Sequence, residues 1–173
     1  KYRAEDYAAS LALCREFLAA NAEAVGAAYM MFLEGENRFF LNQPKEAVAA
    51  YRAFIKAHEE HEQIPVARMR VGEAHFEGKE WDQALAVFES ILKTNPEGAV
   101  YDQLEFLMAE CHHQKKDWAR SVEFYGLFTK SKPKSVNVDT ALMKSGLVSE
   151  RLKQFNNAIG SYRNLVAQHA GSR

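Results

Sequence analysis

Six histidines, two cysteines and a spaced set of glutamates are the residues in this 173-residue chain with chemistry to offer. His58-Glu59-Glu60-His61 sets two imidazoles three positions apart, on one face of a helix. A zinc-protease helix needs its histidines at i and i+4, with the glutamate directly after the first. This spacing is one short and a third ligand is missing, so the segment reads as a solvated helix end. His75 and His112 stand 37 positions apart, and His113 follows. Recurrence at a fixed distance marks a packing position, so these are expected to be buried, hydrogen-bonded imidazoles and not metal ligands. Cys14 and Cys111 lie 97 positions apart, with neither the paired spacing of a zinc site nor a disulfide framework, and read as two small buried thiols.

Glu36, Glu73 and Glu110 recur at the same distance of 37. On successive stacked helices they would stand about 8–10 Å apart, whereas a retaining carboxylate pair needs about 5 Å. A glycine-rich phosphate loop, a nucleophile elbow and a cysteine–histidine pair are all unreadable here. The sequence therefore yields no catalytic residue, no metal ligand and no cofactor site, and the chain is read as a non-enzyme.

Composition narrows the partners. At 47% apolar and 26% charged residues the chain has the makings of a packed core. Its net charge of −1 gives no field that would draw in nucleic acid or an anionic membrane. The basic stretch Lys130-Ser131-Lys132-Pro133-Lys134 lacks interleaved aromatics and reads as a solvated loop. The longest apolar run, Ala24 to Leu33, has ten residues, and crossing a bilayer takes about 20. Direct membrane insertion is thus not expected. The start at Lys1, without methionine or signal peptide, reads as a fragment of a longer chain.

The elements that must carry these residues follow from one internal period. A small residue followed four positions later by an aromatic or cysteine occurs at Ser10/Cys14, Ala47/Tyr51, Ala84/Phe88, Ser121/Tyr125 and Ala158/Tyr162, always 37 apart. Three positions before each small residue stands Tyr7, Pro44, Trp81, Trp118 or Phe155. Three after each fourth position stands Phe17, Phe54, Ile91, Phe128 or Leu165. Twelve before the small residue, from the second set onward, come Gly35, Gly72, Ala109 and Gly146. Registers locked to one period are the mark of a repeat architecture.

Each period reads as two amphipathic helices. In one, Val66–Gly78 carries Val66, Met69, Val71, Ala74 and Phe76 on one side. The next helix, Trp81 to Lys93, is expected to bury Trp81, Ala84, Leu85, Val87, Phe88, Ile91 and Leu92. Asn95-Pro96 and Lys132-Pro133 would stop their helices, since proline cannot continue the ladder. Gly72 and Ala84 would let the pair cross closely, and Trp81, Trp118 and Phe88 would fill the wedge toward the next helix. One pair cannot close its own core, so neighbours must stack.

The segment Val71-Gly72-x-x-His75, then Ala84-x-x-x-Phe88, then Asn95-Pro96 resembles the tetratricopeptide repeat, with His75 in place of the usual tyrosine. The resemblance spans nearly the whole chain and implies an all-α, right-handed α-solenoid of helix–turn–helix repeats with period 37. Its segments would be a lone second helix in 1–21 and helix pairs in 22–61, 62–96, 97–133 and 134–173, forming a single solenoid. A period of 37 instead of 34 calls for a longer connection between repeats or an extra turn on the first helices. Ala141-Leu-Met-Lys-Ser-Gly146 and Tyr162 to Ser172 are similar to repeats of bacterial cell-envelope proteins, the Tol–Pal-associated coordinator and the lipoprotein of the β-barrel assembly machinery. That likeness implies an envelope or periplasmic setting, with the cytoplasm next.

In this family the first helices line a concave face, with ligand contacts at their second, fifth, ninth, twelfth and thirteenth positions. Carried over, the fifth positions are Phe32, Met69, Phe106 and Met143; the ninth are Glu36, Glu73, Glu110 and Leu147; the twelfth are Phe39, Phe76, His113 and Glu150. The candidate partner-binding set is therefore Phe32, Glu36, Phe39, Met69, Glu73, Phe76, Phe106, Glu110, His113 and Met143. It describes an apolar ladder beside an acidic one, suited to a protein or peptide partner with apolar and basic residues. Alternatively, the phenylalanines and methionines only thicken the core. The carboxylate clamp of some family members is absent, because the matching positions are Phe32, Leu33, Glu36, Glu73 and Gln103. Two functions stay open: an interaction scaffold, or a spacer within a larger repeat protein.

Overall fold

Pro44, Trp81, Trp118 and Phe155 each open a helix, so a period of 37 governs the backbone as well as the side chains. The structure is a computed structural model that describes residues 4–94 and 97–170. Its α-helices are α1 (Ala4–Ala20), α2 (Ala27–Phe40), α3 (Pro44–Ala57), α4 (Ile64–Glu77) and α5 (Trp81–Leu92). They are followed by α6 (Leu104–Gln114), α7 (Trp118–Ser131), α8 (Val138–Arg151) and α9 (Phe155–His169). No strand occurs among the described residues. Helix α4 starts two residues before the expected Val66, since Pro65 suits the first turn, where its missing N–H has no partner to lose. In the third repeat a 3-10 turn at Ala99–Tyr101 takes the place of the first helical turn, and α6 starts only at Leu104. Asn95-Pro96 lie outside the described residues, and α5 has already ended at Leu92.

Helices α1–α5 form one compact unit, Lys1–Pro96, and α6–α9 another, Glu97–Arg173. In the first unit α2 packs between α1 and α3, and α4 between α3 and α5. In the second, α7 packs between α6 and α8, and α9 packs on α8. Each unit is a stack of helix hairpins, the all-α repeat architecture.

Two kinds of connection set the period. Between repeats, residues 21–26, 58–63 and 132–137 make the same staircase of backbone bonds, as in His58 N–H to Phe54, His61 N–H to His58 and Ile64 N–H to His61. These six-residue links, and not longer first helices, account for the length of the period. Within repeats the turns are three residues long and close with bonds such as Glu80 N–H to His75 and Asp117 N–H to His112. Each carries one left-handed residue, Asn42, Lys79, Lys116 or Lys153, with φ of 56, 58, 61 and 59°. Glycine or asparagine normally fills such a helix-ending position, because a Cβ there meets the following carbonyl. Lys79→Gly, Lys116→Gly and Lys153→Gly are each expected to stabilise the fold by about 0.5–1 kcal/mol. A triple variant that melts below the parent would contradict this.

The core follows the periodic positions. Tyr51, Phe54, Phe88, Tyr125 and Phe128 are completely buried, as are Ala47 and Ala84. The first-helix glycines lie against the aromatic of their own hairpin. A Cβ on Gly72 would lie 2.3 Å from the Phe88 ring, and one on Gly35 would lie 2.6 Å from Tyr51. At Gly72 the missing side chain makes room for the Phe88 ring, which stands one turn after Ala84 on the second helix. The wedge is corrected. Trp81 and Trp118 are only half-buried, packed edge-on against Phe76 and His113. Trp118 still reaches the next first helix, where the Arg151 guanidinium lies 4.5 Å from its ring centre, and Phe88 is completely buried as expected.

Candidate functional site

The fifth positions of the first helices are set by what their own second helix places opposite. Phe32 on α2 packs against Tyr51 and Phe54, with ring centres 6.1 and 5.7 Å apart. Phe106 on α6 makes the same contacts with Tyr125 and Phe128, at 6.1 and 5.3 Å. Phe32 is 6% exposed and Met69 2%, so both are core residues and offer no side-chain surface to a partner. Phe106 is half-buried. Only Met143, 45% exposed on α8, stands open at this position. The apolar ladder expected from the sequence is thus uneven: Phe32 and Met69 are covered, Phe106 is half-buried although it meets the same pair of rings as Phe32, and Met143 is open. One turn after Met143, Leu147 is 52% exposed, and residues four apart share a helix face.

The ninth positions are occupied from within. Glu36 Oε1 accepts a hydrogen bond from the Tyr51 hydroxyl at 2.5 Å and from Arg70 Nε at 2.9 Å. Arg70 also donates through Nη1 to Glu73 Oε2 at 2.7 Å. In the second unit Glu110, nearly buried, accepts from the Tyr125 hydroxyl and from Lys144 Nζ at 2.6 and 2.7 Å. Burial first, and then the Glu36 charge, push the Tyr51 hydroxyl far up from its ordinary range. Burial and the Glu110 hydrogen bond do the same to Tyr125, so both hydroxyls remain donors. Arg70 loses some of its charge preference to burial, but Glu73 and Glu36 outweigh that and raise it. The acidic ladder expected to select a basic partner is therefore already paired by the chain's own arginine, lysine and tyrosines.

The twelfth positions sit beside the turn into the second helix. Phe76 meets Trp81 edge-on at 5.2 Å, and His113 meets Trp118 edge-on at 5.3 Å. Burial, then Lys144, hold His113 below its usual range, which favours the neutral ring. Phe39 is half-buried beneath the Arg70 guanidinium, whose carbon lies 5.1 Å from the ring centre. At that separation the cation is attracted by the ring's negative face. Sequence reasoning did not assign Arg70 or Lys144 to these carboxylates, although each lies 34 positions after a ninth-position glutamate. It also left out Tyr29, at the second position of α2 and 47% exposed.

The other titratable groups have structural roles. His75 is buried between Glu80, 2.6 Å from its Nδ1, and Arg52, 3.2 Å from its Nε2. His112 pairs with Asp117 at 3.1 Å and stacks on Phe124. Both match the expected buried, hydrogen-bonded imidazoles, and each holds the first residue before its second helix. His58 and His61 pack against Phe54 at the end of α3. Cys14 and Cys111 are buried, and burial followed by the Glu110 charge push the Cys111 thiol up to about 12. Since the thiolate is the reactive form, Cys111 should react with a disulfide reagent at pH 8 only as the chain unfolds. Rapid labelling of the native protein would show the burial to be wrong.

Two tetratricopeptide-repeat family models match the chain, at residues 32–99 and 140–172. No curated protein sequence matches it. Among solved structures, a crystal structure of MamA superposes with a TM-score of 0.77 at 15% identity, covering 95% of this chain and 90% of that one. MamA 41-end from Desulfovibrio magneticus RS-1 gives 0.68 at 13% identity, covering 93% of each chain. BtubC from P. vanneervenii gives 0.72 at 12%, covering 95% of this chain and 75% of that one. At such identities the likeness extends to the fold alone.

Proposed function

We propose, from the premise that this chain belongs to the tetratricopeptide-repeat proteins, that it is a protein-binding scaffold and not an enzyme. The observation that carries the reading is the exposed pair Met143 and Leu147 on α8, a first helix. In a fold whose first helices are its binding side, two uncovered apolar side chains one turn apart suit an apolar partner segment. Methionine suits such a surface, because its unbranched chain repacks around different partners. The half-buried Phe106 belongs to the same unit, and Tyr29 with Phe39 offers a smaller apolar surface on the first.

The partner's chemistry follows from what the face has left unpaired. Glu36, Glu73 and Glu110 are each held by an internal cation. A basic partner would have to displace those pairs, and the exchange leaves little net gain. The partner is therefore a helix or extended segment recognised by apolar side chains, with charge in a minor role. The likeness of Ala141–Gly146 and of 162–172 to envelope repeats supports a partner within a bacterial envelope assembly. Selection of displayed peptides against the chain tests the reading. It expects apolar sequences whose binding is lost in a Met143→Glu, Leu147→Glu variant, and it fails if selected peptides bind that variant equally well. The burial of Phe32 and Met69 favours a second reading for the first unit, in which α1–α5 act as a spacer.

A further inference from the structure

The contacts of Glu36 and Glu110 repeat each other residue for residue. In both, the carboxylate takes a tyrosine hydroxyl from its own hairpin, 15 positions on, and a cation from the next first helix, 34 positions on. Tyr51 and Arg70 serve Glu36; Tyr125 and Lys144 serve Glu110. The carboxylate side chains are only 18% and 10% exposed. The first set ties α2 and α3 to α4 inside the first unit. The second ties α6 and α7 to α8 inside the second.

The repeat between them lacks the parts. Fifteen positions after Glu73 stands Phe88, which has no hydroxyl, and 34 positions after it stands Leu107, which has no charge. Glu73 turns back along its own helix to Arg70 instead. In the last repeat Leu147 replaces the acid itself. Stability in a repeat stack is a sum of each repeat's own stability and its interfaces with neighbours. Opening a latched pair strands a covered carboxylate, and that penalty makes the pair open together. A set reading Glu, Phe and Leu carries no such penalty.

We propose that the two glutamate–tyrosine–cation latches divide this chain into two cooperative blocks, α1–α5 and α6–α9, that open independently of each other. The division coincides with the two compact units, Lys1–Pro96 and Glu97–Arg173. Lys144, the cation of the second latch, lies on α8 between Met143 and Leu147. The same contact therefore steadies the helix proposed to hold a partner, a link that rests on the proposed function, whereas the two blocks do not.

Hydrogen exchange of the full chain, read peptide by peptide by mass spectrometry, tests the blocks. Glu36→Gln should speed exchange in α2–α5 at least tenfold and leave α6–α9 within twofold of the parent. Glu110→Gln should do the reverse. Tyr51→Phe and Tyr125→Phe remove only a hydroxyl, and should show the same division more weakly if a glutamine variant fails to fold. Equal acceleration along the whole chain, or no change in either block, would overturn the proposal. Either outcome would leave the binding role of Met143 and Leu147 standing. Loss of peptide binding to that pair would in turn leave the blocks untouched.

Discussion

Phe88→Ala is expected to destabilise the chain by about 3–5 kcal/mol, while Trp81→Ala costs only about 1–2 kcal/mol. The order reverses what aromatic size alone suggests. Phe88 is completely buried, and its ring lies over Gly72 so closely that even a methyl there would collide with it. Removing the ring leaves a cavity that rigid helices on either side cannot close. Trp81 is half-buried, touches Phe76 with an edge, and leaves solvent to fill its place. Against a total stability of about 5–15 kcal/mol for an ordinary domain, the Phe88 loss could consume most of the margin. Urea titrations of both variants check this, provided the slope with denaturant stays unchanged. A Trp81→Ala loss larger than that of Phe88→Ala would mean the packing face has been misassigned.

Met143→Glu with Leu147→Glu is expected to weaken a display-selected peptide by about 30–100-fold. Burying each side chain fully would contribute about 1.5–3 kcal/mol. Both are already about half covered, which leaves about 2–3 kcal/mol for the pair, and each 1.4 kcal/mol is a factor of ten. The loss should show mainly as faster dissociation, as is usual when a desolvated contact is removed. Neither side chain is buried in the free chain, so the variant should fold and melt like the parent. Glu73→Lys provides the contrast. The sequence alone suggested that this glutamate recruits a basic partner, but Arg70 holds it at 2.7 Å. Its reversal should change affinity less than about threefold. A strong, salt-sensitive loss at Glu73 combined with indifference at Met143 and Leu147 would restore the acidic face as the recognition surface.

The fold was legible because repeats announce themselves: one period placed every second helix at its true start, from Pro44 to Phe155. The buried histidines could be read as well, since they recur in register, whereas the period alone left a longer connection and an extra helical turn both open. The site was less legible, for a physical reason. A first-helix position is covered or open according to everything that packs over it, and the residue opposite does not decide alone. Phe32 and Phe106 meet equivalent pairs of rings, yet Phe32 is buried and Phe106 half-buried, while Met143 stays open on α8. The glutamates misled for a related reason. Their spacing of 37 was visible, but the cations paired with Glu36 and Glu110 lie 34 positions on, off the main register, and the one paired with Glu73 lies three positions before it. Trp81 and Trp118 were assigned to the wedge together with Phe88, and of the three only Phe88 is completely buried.

The five methionines, at positions 30, 31, 69, 108 and 143, place a methyl probe in each relevant environment. Met143 stands open on the proposed binding helix, Met69 and Met108 are buried, and Met30 and Met31 are half-buried on α2. Methyl NMR of the full chain, titrated with a display-selected peptide, reads all five at once. The account predicts that the Met143 signal moves through the titration while those of Met69 and Met108 hold still. A titration that shifts Met30 and Met31 and leaves Met143 unmoved would contradict it.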